Sequence, residues 1–193
     1  MIPFTKPTHL ENEIESLLET YKSNDYSKAI NYVNSYLCAS TNSESSFFCN
    51  SCSDALEIAA LAMDIKEGDE IIVPDYTFVT SASAFALRKA KIIFCDVMED
   101  LCIDLSIAKK LITKKTKAIV WVDYAGSTNR IEDARNLCNK YDLVLIQDSA
   151  QSVGGWYTEK KSENFLGDFI TFSFHSTKNI TSGGEGGALV LKT

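Results

Sequence analysis

Short apolar runs alternate with longer helical segments along most of the chain. Seven runs are short enough to be strands, at residues 47–49, 70–74, 91–97, 117–122, 143–148, 168–174 and 187–191. Four segments between the early runs are long enough to be helices, at residues 54–65, 77–90, 105–115 and 131–141. Strands that are apolar on both faces are typical of a parallel sheet covered by helices on each side. The pattern therefore predicts an α/β fold with a mostly parallel seven-stranded sheet and helices on both faces.

The first 46 residues differ from the rest of the chain. They contain a polar helical segment at residues 9–23 and a second stretch that ends in the serine-rich sequence STNSESS. We interpret residues 1–46 as a helical lead-in and residues 47–193 as one large domain, because no linker or internal repeat divides them.

Composition and charge narrow the range of functions. The chain has 193 residues, of which 45% are hydrophobic, and a formal net charge of -7, as in globular proteins. Nucleic acid is not an expected partner, because no run of Lys and Arg forms a basic surface. No apolar stretch reaches the length of a membrane span, and the start MIPFTKPTHLENE lacks the pattern of a signal peptide. We therefore expect a cytoplasmic chain without a membrane partner.

Six cysteines are scattered along the chain, which favours reduced thiols over a disulfide framework. Cys49 and Cys52 form a CxxC pair before a helical run, and this spacing leaves open a thioredoxin-like redox site. A zinc site has less support, because there is no second CxxC and only His9 and His175 to complete a ligand set.

Residues that follow the strands are the candidates for chemistry, because ligands of parallel sheets bind beyond the carboxyl ends of the strands. Ser53 and Asp54 begin an apolar helix, with Ser53 as its expected N-cap. The start of this helix is either an ordinary cap or a site for phosphate. Tyr76 and Phe78 follow the strand at 70–74, where an aromatic ring either stacks on a flat ligand or fills the core.

Two further candidates follow later strands. Asp148 ends the strand at 143–148, with Gln151 close behind, and a buried charge there needs either a structural partner or a protonated ring nitrogen on a cofactor. The strand at 168–174 brings Ser173 to the edge of the sheet, and Lys178 follows among small, apolar and aromatic neighbours. Such neighbours allow a nucleophilic amine, although a solvated surface charge is the ordinary role of a lysine.

These four places share one explanation. Pyridoxal phosphate needs a carboxylate for its pyridine nitrogen, an amine for covalent attachment, a phosphate site and a platform for its ring. The glycine motifs of nucleotide-binding folds do not fit, because GGEGG lacks the GxGxxG spacing and precedes the last strand, and no GxxxxGK occurs. The sequence therefore predicts a pyridoxal phosphate site and no metal site.

The chain also resembles the DegT/DnrJ/EryC1/StrS sugar aminotransferases, which are pyridoxal phosphate enzymes of fold type I. The similarity runs from CSDALEIAALAMDIKEGDEIIVPDYTFVTSASAFALRKAKIIFCDV through QDSAQSVGGWY to LGDFITFSFHSTKNITSGGEGGALV. Within the family, MIPF, VDYAG and FHSTKNITSGGEGGA most resemble the dTDP-4-amino-4,6-dideoxygalactose transaminases. The resemblance implies a homodimer that transfers an amino group from an amino acid, usually glutamate, to a nucleotide-linked keto sugar such as a dTDP-4-keto-6-deoxyhexose.

The same resemblance implies roles for individual residues. Lys178 would be the Schiff base lysine and proton carrier, and Asp148 would pair with the pyridine nitrogen. Six further residues are implied to contact the cofactor or its surroundings: Gln151 at the ring hydroxyl, Phe78 on the ring face, Asn179 towards a partner subunit, and Ser53, the amide of Asp54 and Ser173 at the phosphate.

Departures from the family pattern bear on the substrate contacts. Relatives have a small carboxy-terminal domain after the last strand of the large domain, and we expect it to be absent here. They also often carry a glycine at the position of Cys52 and a histidine at that of Asp123. A noncatalytic member that acts in assembly or regulation is therefore an alternative. The presence of Lys178 argues against the dehydratase branch, in which a histidine replaces this lysine.

Overall fold

The computed structural model describes residues 12–154 and 164–192. The MIPF sequence, His9 and the GWY part of the resemblance lie outside the described residues. The strands are β1 (Ser45–Cys49), β2 (Glu70–Pro74), β3 (Lys91–Cys95), β4 (Thr116–Val122), β5 (Val144–Asp148), β6 (Phe169–Ser173) and β7 (Gly187–Leu191). The helices are α1 (Glu13–Ser23), α2 (Ser27–Thr41), α3 (Cys52–Ala62), α4 (Thr80–Ala86), α5 (Leu105–Leu111) and α6 (Ile131–Tyr141).

The strands form one seven-stranded sheet in the order β1-β7-β6-β5-β4-β2-β3. Strands β6, β5, β4, β2 and β3 run parallel to one another, whereas β7 lies antiparallel to both β6 and β1. The predicted α/β fold with a mostly parallel sheet is confirmed.

Both faces of the sheet are buried beneath helices. On one face, Ile72 and Trp121 pack with residues of α5 and α6, while on the other Ile71 and Val120 pack with residues of α3 and α4. Neighbouring strand residues point to opposite faces, so strands that are covered on both sides must be apolar at consecutive positions. This burial explains why the central strands read as continuous apolar runs.

The two amino-terminal helices contribute unequally to the core. Helix α1 has no buried residue, in keeping with its polar sequence. Helix α2 places Leu37 in a cluster with Phe172 and Val190, against β6 and β7. The division of the chain at residues 46 and 47 stays a prediction. Within residues 12–154 and 164–192, no helix combines the length and the apolar character that crossing a membrane requires.

Candidate active site

A cavity of about 430 Å³ opens where the carboxyl ends of β2, β4, β5 and β6 meet the start of α3. Segments that directly follow these strands form most of its wall, as expected for a parallel sheet. Six of the predicted site residues line it, namely Ser53, Phe78, Asp148, Gln151, Ser173 and Lys178. The tertiary structure therefore gathers residues that are more than a hundred positions apart along the chain.

Asp148 lies at the end of β5, where its side chain is buried. Its Oδ2 accepts a hydrogen bond from Ser81 Oγ at 2.7 Å, and its Oδ1 accepts one from the amide of Ala150 at 3.2 Å. Burial raises the pKa of the Asp148 carboxyl, and the Ser81 hydroxyl and, more weakly, the charge of Lys178 oppose that rise. A cation in the cavity would therefore stabilise the ionised form of this buried carboxyl.

Lys178 lies in the loop between β6 and β7. Backbone bonds shape this loop: the Lys178 amide donates to the His175 carbonyl at 2.9 Å, and the Ser182 amide donates to the Phe174 carbonyl at 2.8 Å. Among the described residues, none forms a hydrogen bond or an ion pair with the Lys178 ammonium. Its charge nevertheless lies near enough to Asp148 to lower the pKa of that carboxyl. An amine without a protein partner, facing a cavity, is available to a ligand.

The start of α3 corrects one sequence-based prediction. Ser51, not Ser53, is the N-cap: its backbone is extended, and its hydroxyl accepts a hydrogen bond from the Asp54 amide at 3.0 Å. Ser53 instead lies in the first turn and lines the cavity. The Asp54 amide is therefore already bonded within the protein, and Asp54 does not line the cavity. The amides of Cys52 and Ser53 have no partner within the helix, because the first turn of any helix leaves its amides free.

A close backbone contact holds the start of α3 against β7. A Cβ atom added to Gly187 would lie 2.3 Å from the carbonyl carbon of Ser51, so only glycine permits this approach. The contact brings the helix terminus to the edge of the sheet where Ser173 ends β6. Gly187, the last glycine of the GGEGG sequence, thus serves packing of the site, a role distinct from phosphate binding in a nucleotide motif.

The aromatic residues after β2 lie at the mouth of the cavity. Phe78 is 71% exposed although it lines the wall, so its ring is not a core residue. Tyr76 pairs with Tyr124, with their hydroxyls 3.2 Å apart and their ring centroids separated by 5.1 Å. Exposed aromatic surface beside a cavity suits contact with a flat ligand.

Gln151 and Asn179 make bonds within the protein. The Gln151 Oε1 accepts a hydrogen bond from the Ala125 amide at 2.6 Å, so its amide nitrogen is the end left for a ligand. The Asn179 side chain donates to the carbonyl of Val153 and does not line the cavity. The structure therefore ties Asn179 to a neighbouring turn, and its predicted contact with a partner subunit stays a prediction.

Sequence reasoning did not select Asp123 as a site residue, although it noted the residue as a departure from the family pattern. Asp123 follows β4, lines the cavity and is 1% exposed. Burial raises the pKa of its carboxyl to about 7, against hydrogen bonds from Ser149, Gln147, Ser152 and Trp121 that lower it. Its position in the sequence could have identified Asp123 as a site residue, because it directly follows an apolar strand just as Asp148 ends one.

The CxxC pair lacks the properties of a redox site. Cys49 lies at the end of β1 and Cys52 at the start of α3, and both thiols are free. Burial raises the pKa of Cys49, and burial followed by the charge of Asp148 raises that of Cys52 well above its usual value. Reactive CxxC thiols have lowered pKa values. Among the described residues there is no group of three or more His, Cys, Asp or Glu side chains arranged to hold a metal ion.

Comparison with known proteins places this geometry in a family. Residues 7–193 match the family model for the DegT/DnrJ/EryC1/StrS aminotransferases. An uncharacterised protein of Methanocaldococcus jannaschii is 34% identical over 197 residues, covering 96% of this chain and 48% of the relative. The GDP-perosamine synthase of Vibrio cholerae is 40% identical over 137 residues, covering 70% of this chain and 37% of the enzyme.

Solved structures agree with the sequence comparison. The PMP form of the Streptococcus pneumoniae protein Spr1654 superimposes with a TM-score of 0.83 at 29% identity, covering 100% of this chain and 52% of that one. The same protein is also known in a PLP form. The chain thus spans about half the length of this structure and of the Methanocaldococcus jannaschii protein. It belongs to the DegT/DnrJ/EryC1/StrS aminotransferase family, whose members use pyridoxal phosphate.

Proposed function

We propose that this chain is the cofactor-binding part of an aminotransferase that acts on nucleotide-linked keto sugars. The observation that carries the proposal is that one cavity is lined by the buried carboxyl of Asp148 and by Lys178, whose amine has no partner among residues 12–154 and 164–192. The family places such enzymes in sugar metabolism, and its members use pyridoxal phosphate.

The residues around the cavity fit this cofactor. Asp148 is a buried acid whose ionised form a protonated pyridine nitrogen would stabilise, since an opposite charge nearby lowers the pKa of a carboxyl. Of the described residues that line the cavity, Lys178 alone is a lysine or arginine, and since its amine is assigned to the cofactor ring, other donors there would hold a phosphate. The free amides at the start of α3 and the hydroxyls of Ser53 and Ser173 are such donors.

Each residue has a defined task in this proposal. Pyridoxal phosphate, when bound, supplies an electron-withdrawing ring that stabilises negative charge on the substrate carbon. The Lys178 amine would hold the cofactor and would carry a proton to and from that carbon. Asp148 would keep the proton on the pyridine nitrogen, the Gln151 amide nitrogen would orient the ring, and Phe78 would cover the ring face.

The identity of the nucleotide sugar is a more specific part of the proposal. The sequence resemblance favours a dTDP-4-keto-6-deoxyhexose, while the relationship to a GDP-perosamine synthase equally supports a GDP-linked sugar. The amino donor, glutamate, and the homodimer rest on the sequence resemblance. Sedimentation velocity at micromolar concentration tests the dimer, and a monomer that persists on cofactor binding contradicts it.

The experiment that tests the cofactor site is a visible absorption titration of the 193-residue chain with pyridoxal phosphate. We expect a new visible absorption band, distinct from that of the free cofactor, when the cofactor is bound through an imine. Borohydride should remove the band and leave a pyridoxyl adduct that peptide mass mapping locates on Lys178. The Lys178→Ala variant should lose the band, whereas the control Lys89→Ala, on an exposed lysine, should keep it. An adduct spread over surface lysines contradicts the proposal.

Turnover is tested separately. Protein that is loaded with the cofactor but not treated with borohydride is mixed with glutamate and either dTDP-4-keto-6-deoxyglucose or GDP-4-keto-6-deoxymannose. Mass spectrometry then follows the formation of the amino sugar. Product from one sugar identifies the nucleotide class. Attachment at Lys178 without product from either sugar, even when a carboxy-terminal half is supplied, supports the noncatalytic alternative.

A further inference from the structure

We propose that Asp123 is a positioning residue that fixes the turn of residues 149–152 and thereby sets Asp148 and Gln151 against the cavity. The proposal concerns the same cavity and rests on the proposed function for its effect on cofactor binding. Its structural part, the anchoring of the turn, is measurable without the cofactor.

The first step of the argument is the anchoring itself. Oδ2 of Asp123 accepts hydrogen bonds from Ser149 Oγ at 2.6 Å and from Ser152 Oγ at 2.9 Å. These two hydroxyls stand at opposite ends of the turn, so one carboxylate at the end of β4 holds both ends of a segment that follows β5. The Ser152 amide closes the turn by donating to the Ser149 carbonyl at 3.1 Å.

The second step is that the carboxylate is itself held rigidly. Trp121 Nε1 donates to Oδ1 at 3.0 Å, and Gln147 Nε2 donates to Oδ2 at 3.0 Å. Asp123 therefore accepts from four side chains while it is 1% exposed. A buried donor left without a partner is destabilising, so each of these four donors favours the observed position of the carboxyl group. The network thus makes the position of the carboxylate rigid.

The third step links the turn to the proposed cofactor contacts. Asp148 directly precedes the turn, and the Ala150 amide within it donates to Asp148 Oδ1 at 3.2 Å. Gln151 lies between the two serines, and its Oε1 accepts from the Ala125 amide two residues after Asp123. The segments that follow β4 and β5 therefore support each other: the Asp123 side chain bonds both ends of the turn, and the Ala125 amide bonds Gln151 between them.

The test separates anchoring of the turn from general damage to the core. The double variant Ser149→Ala/Ser152→Ala removes the two bonds to the turn and leaves the carboxylate in place, and Asp123→Asn replaces an acceptor oxygen with a donor. Thr41→Val is the control, because it removes the hydrogen bond of a buried hydroxyl on α2, outside the turn. Amide hydrogen exchange of Ala150 and Ser152 is measured in each protein, together with the dissociation constant of pyridoxal phosphate.

We expect both turn variants to exchange these amides about tenfold faster or more, and to bind the cofactor about tenfold more weakly, while Thr41→Val stays within about threefold of wild type. Unchanged exchange in the turn variants, or equal acceleration in Thr41→Val, overturns the proposal. Faster exchange with unchanged cofactor affinity overturns its link to the site. If the wild-type protein itself forms no adduct at Lys178, the proposed function fails, while hydrogen exchange still decides whether Asp123 holds the turn.

Discussion

The Ser81 hydroxyl donates a 2.7 Å hydrogen bond to Oδ2 of Asp148 and so joins the start of α4 to the end of β5. Both side chains are buried, and Ser81 Oγ also lies 2.8 Å from Thr77 Oγ1. Burial raises the pKa of the Asp148 carboxyl, and of the interactions that lower this pKa the hydrogen bond from Ser81 has the largest effect. Ser81 therefore favours the ionised form that a protonated pyridine nitrogen requires.

The Ser81→Ala variant is expected to bind pyridoxal phosphate about tenfold more weakly near neutral pH, because a hydrogen bond to a charged group contributes about 1.5–3 kcal/mol. Loss of the donor raises the pKa of Asp148 further, so the defect should grow as the pH falls. The measurement is a spectroscopic titration of cofactor affinity between pH 6 and 8.5. Ser83→Ala, on the same helix, is the control, and an equal loss of affinity in both variants contradicts the prediction.

Gly187 is expected to tolerate no side chain. A Cβ atom there would lie 2.3 Å from the Ser51 carbonyl carbon, so Gly187→Ala must displace either α3 or β7. We expect a loss of about 3 kcal/mol or more in the free energy of unfolding, with weaker cofactor binding. Gly184→Ala is the control, because a Cβ atom at Gly184 meets no atom within 4 Å. Urea unfolding of both variants measures the difference, and equal midpoints would show that the helix moves freely.

Asp123 is expected to make stability fall as the pH rises from about 4 to about 7. Its pKa is raised from 3.8 to about 7, so the folded state retains a proton that the unfolded state has lost. Relative to Asp123→Asn, the wild-type protein should lose up to about 4 kcal/mol across that range and change little above pH 7. Urea unfolding of both proteins from pH 4 to 8 measures this. A relative gain in wild-type stability over the same range would place the folded pKa below its usual value.

The CxxC pair is expected to stay reduced under mild oxidation. Both thiols have raised pKa values, mainly through burial, and little thiolate is available to react. Alkylation at pH 8, followed by peptide mass mapping, should label the half-buried Cys38 and Cys49 before Cys52. A disulfide between Cys49 and Cys52 that forms in air and is restored by a thiol reductant would support the redox alternative.

Local sequence pattern was sufficient for most elements of the fold. Each of the seven predicted strands contains or overlaps an observed one, and for the central strands burial on both faces explains the continuous apolar run. Helix ends were less predictable. The predicted helix at 77–90 is only Thr80–Ala86. The N-cap of α3 is Ser51 and not the predicted Ser53, because either serine fits the local sequence pattern of a helix start.

The sequence by itself determined the α/β class and the placement of Asp148 and Lys178 near strand ends, since apolar periodicity and chain order are local properties. Only the tertiary structure decided the strand order, the antiparallel position of β7 and the partners of the buried acids. Ser81 reaches Asp148 across 67 positions, and Asp123 reaches Ser152 across 29. Such bonds depend on which strand ends become neighbours in space, and spacing along the chain does not contain that information.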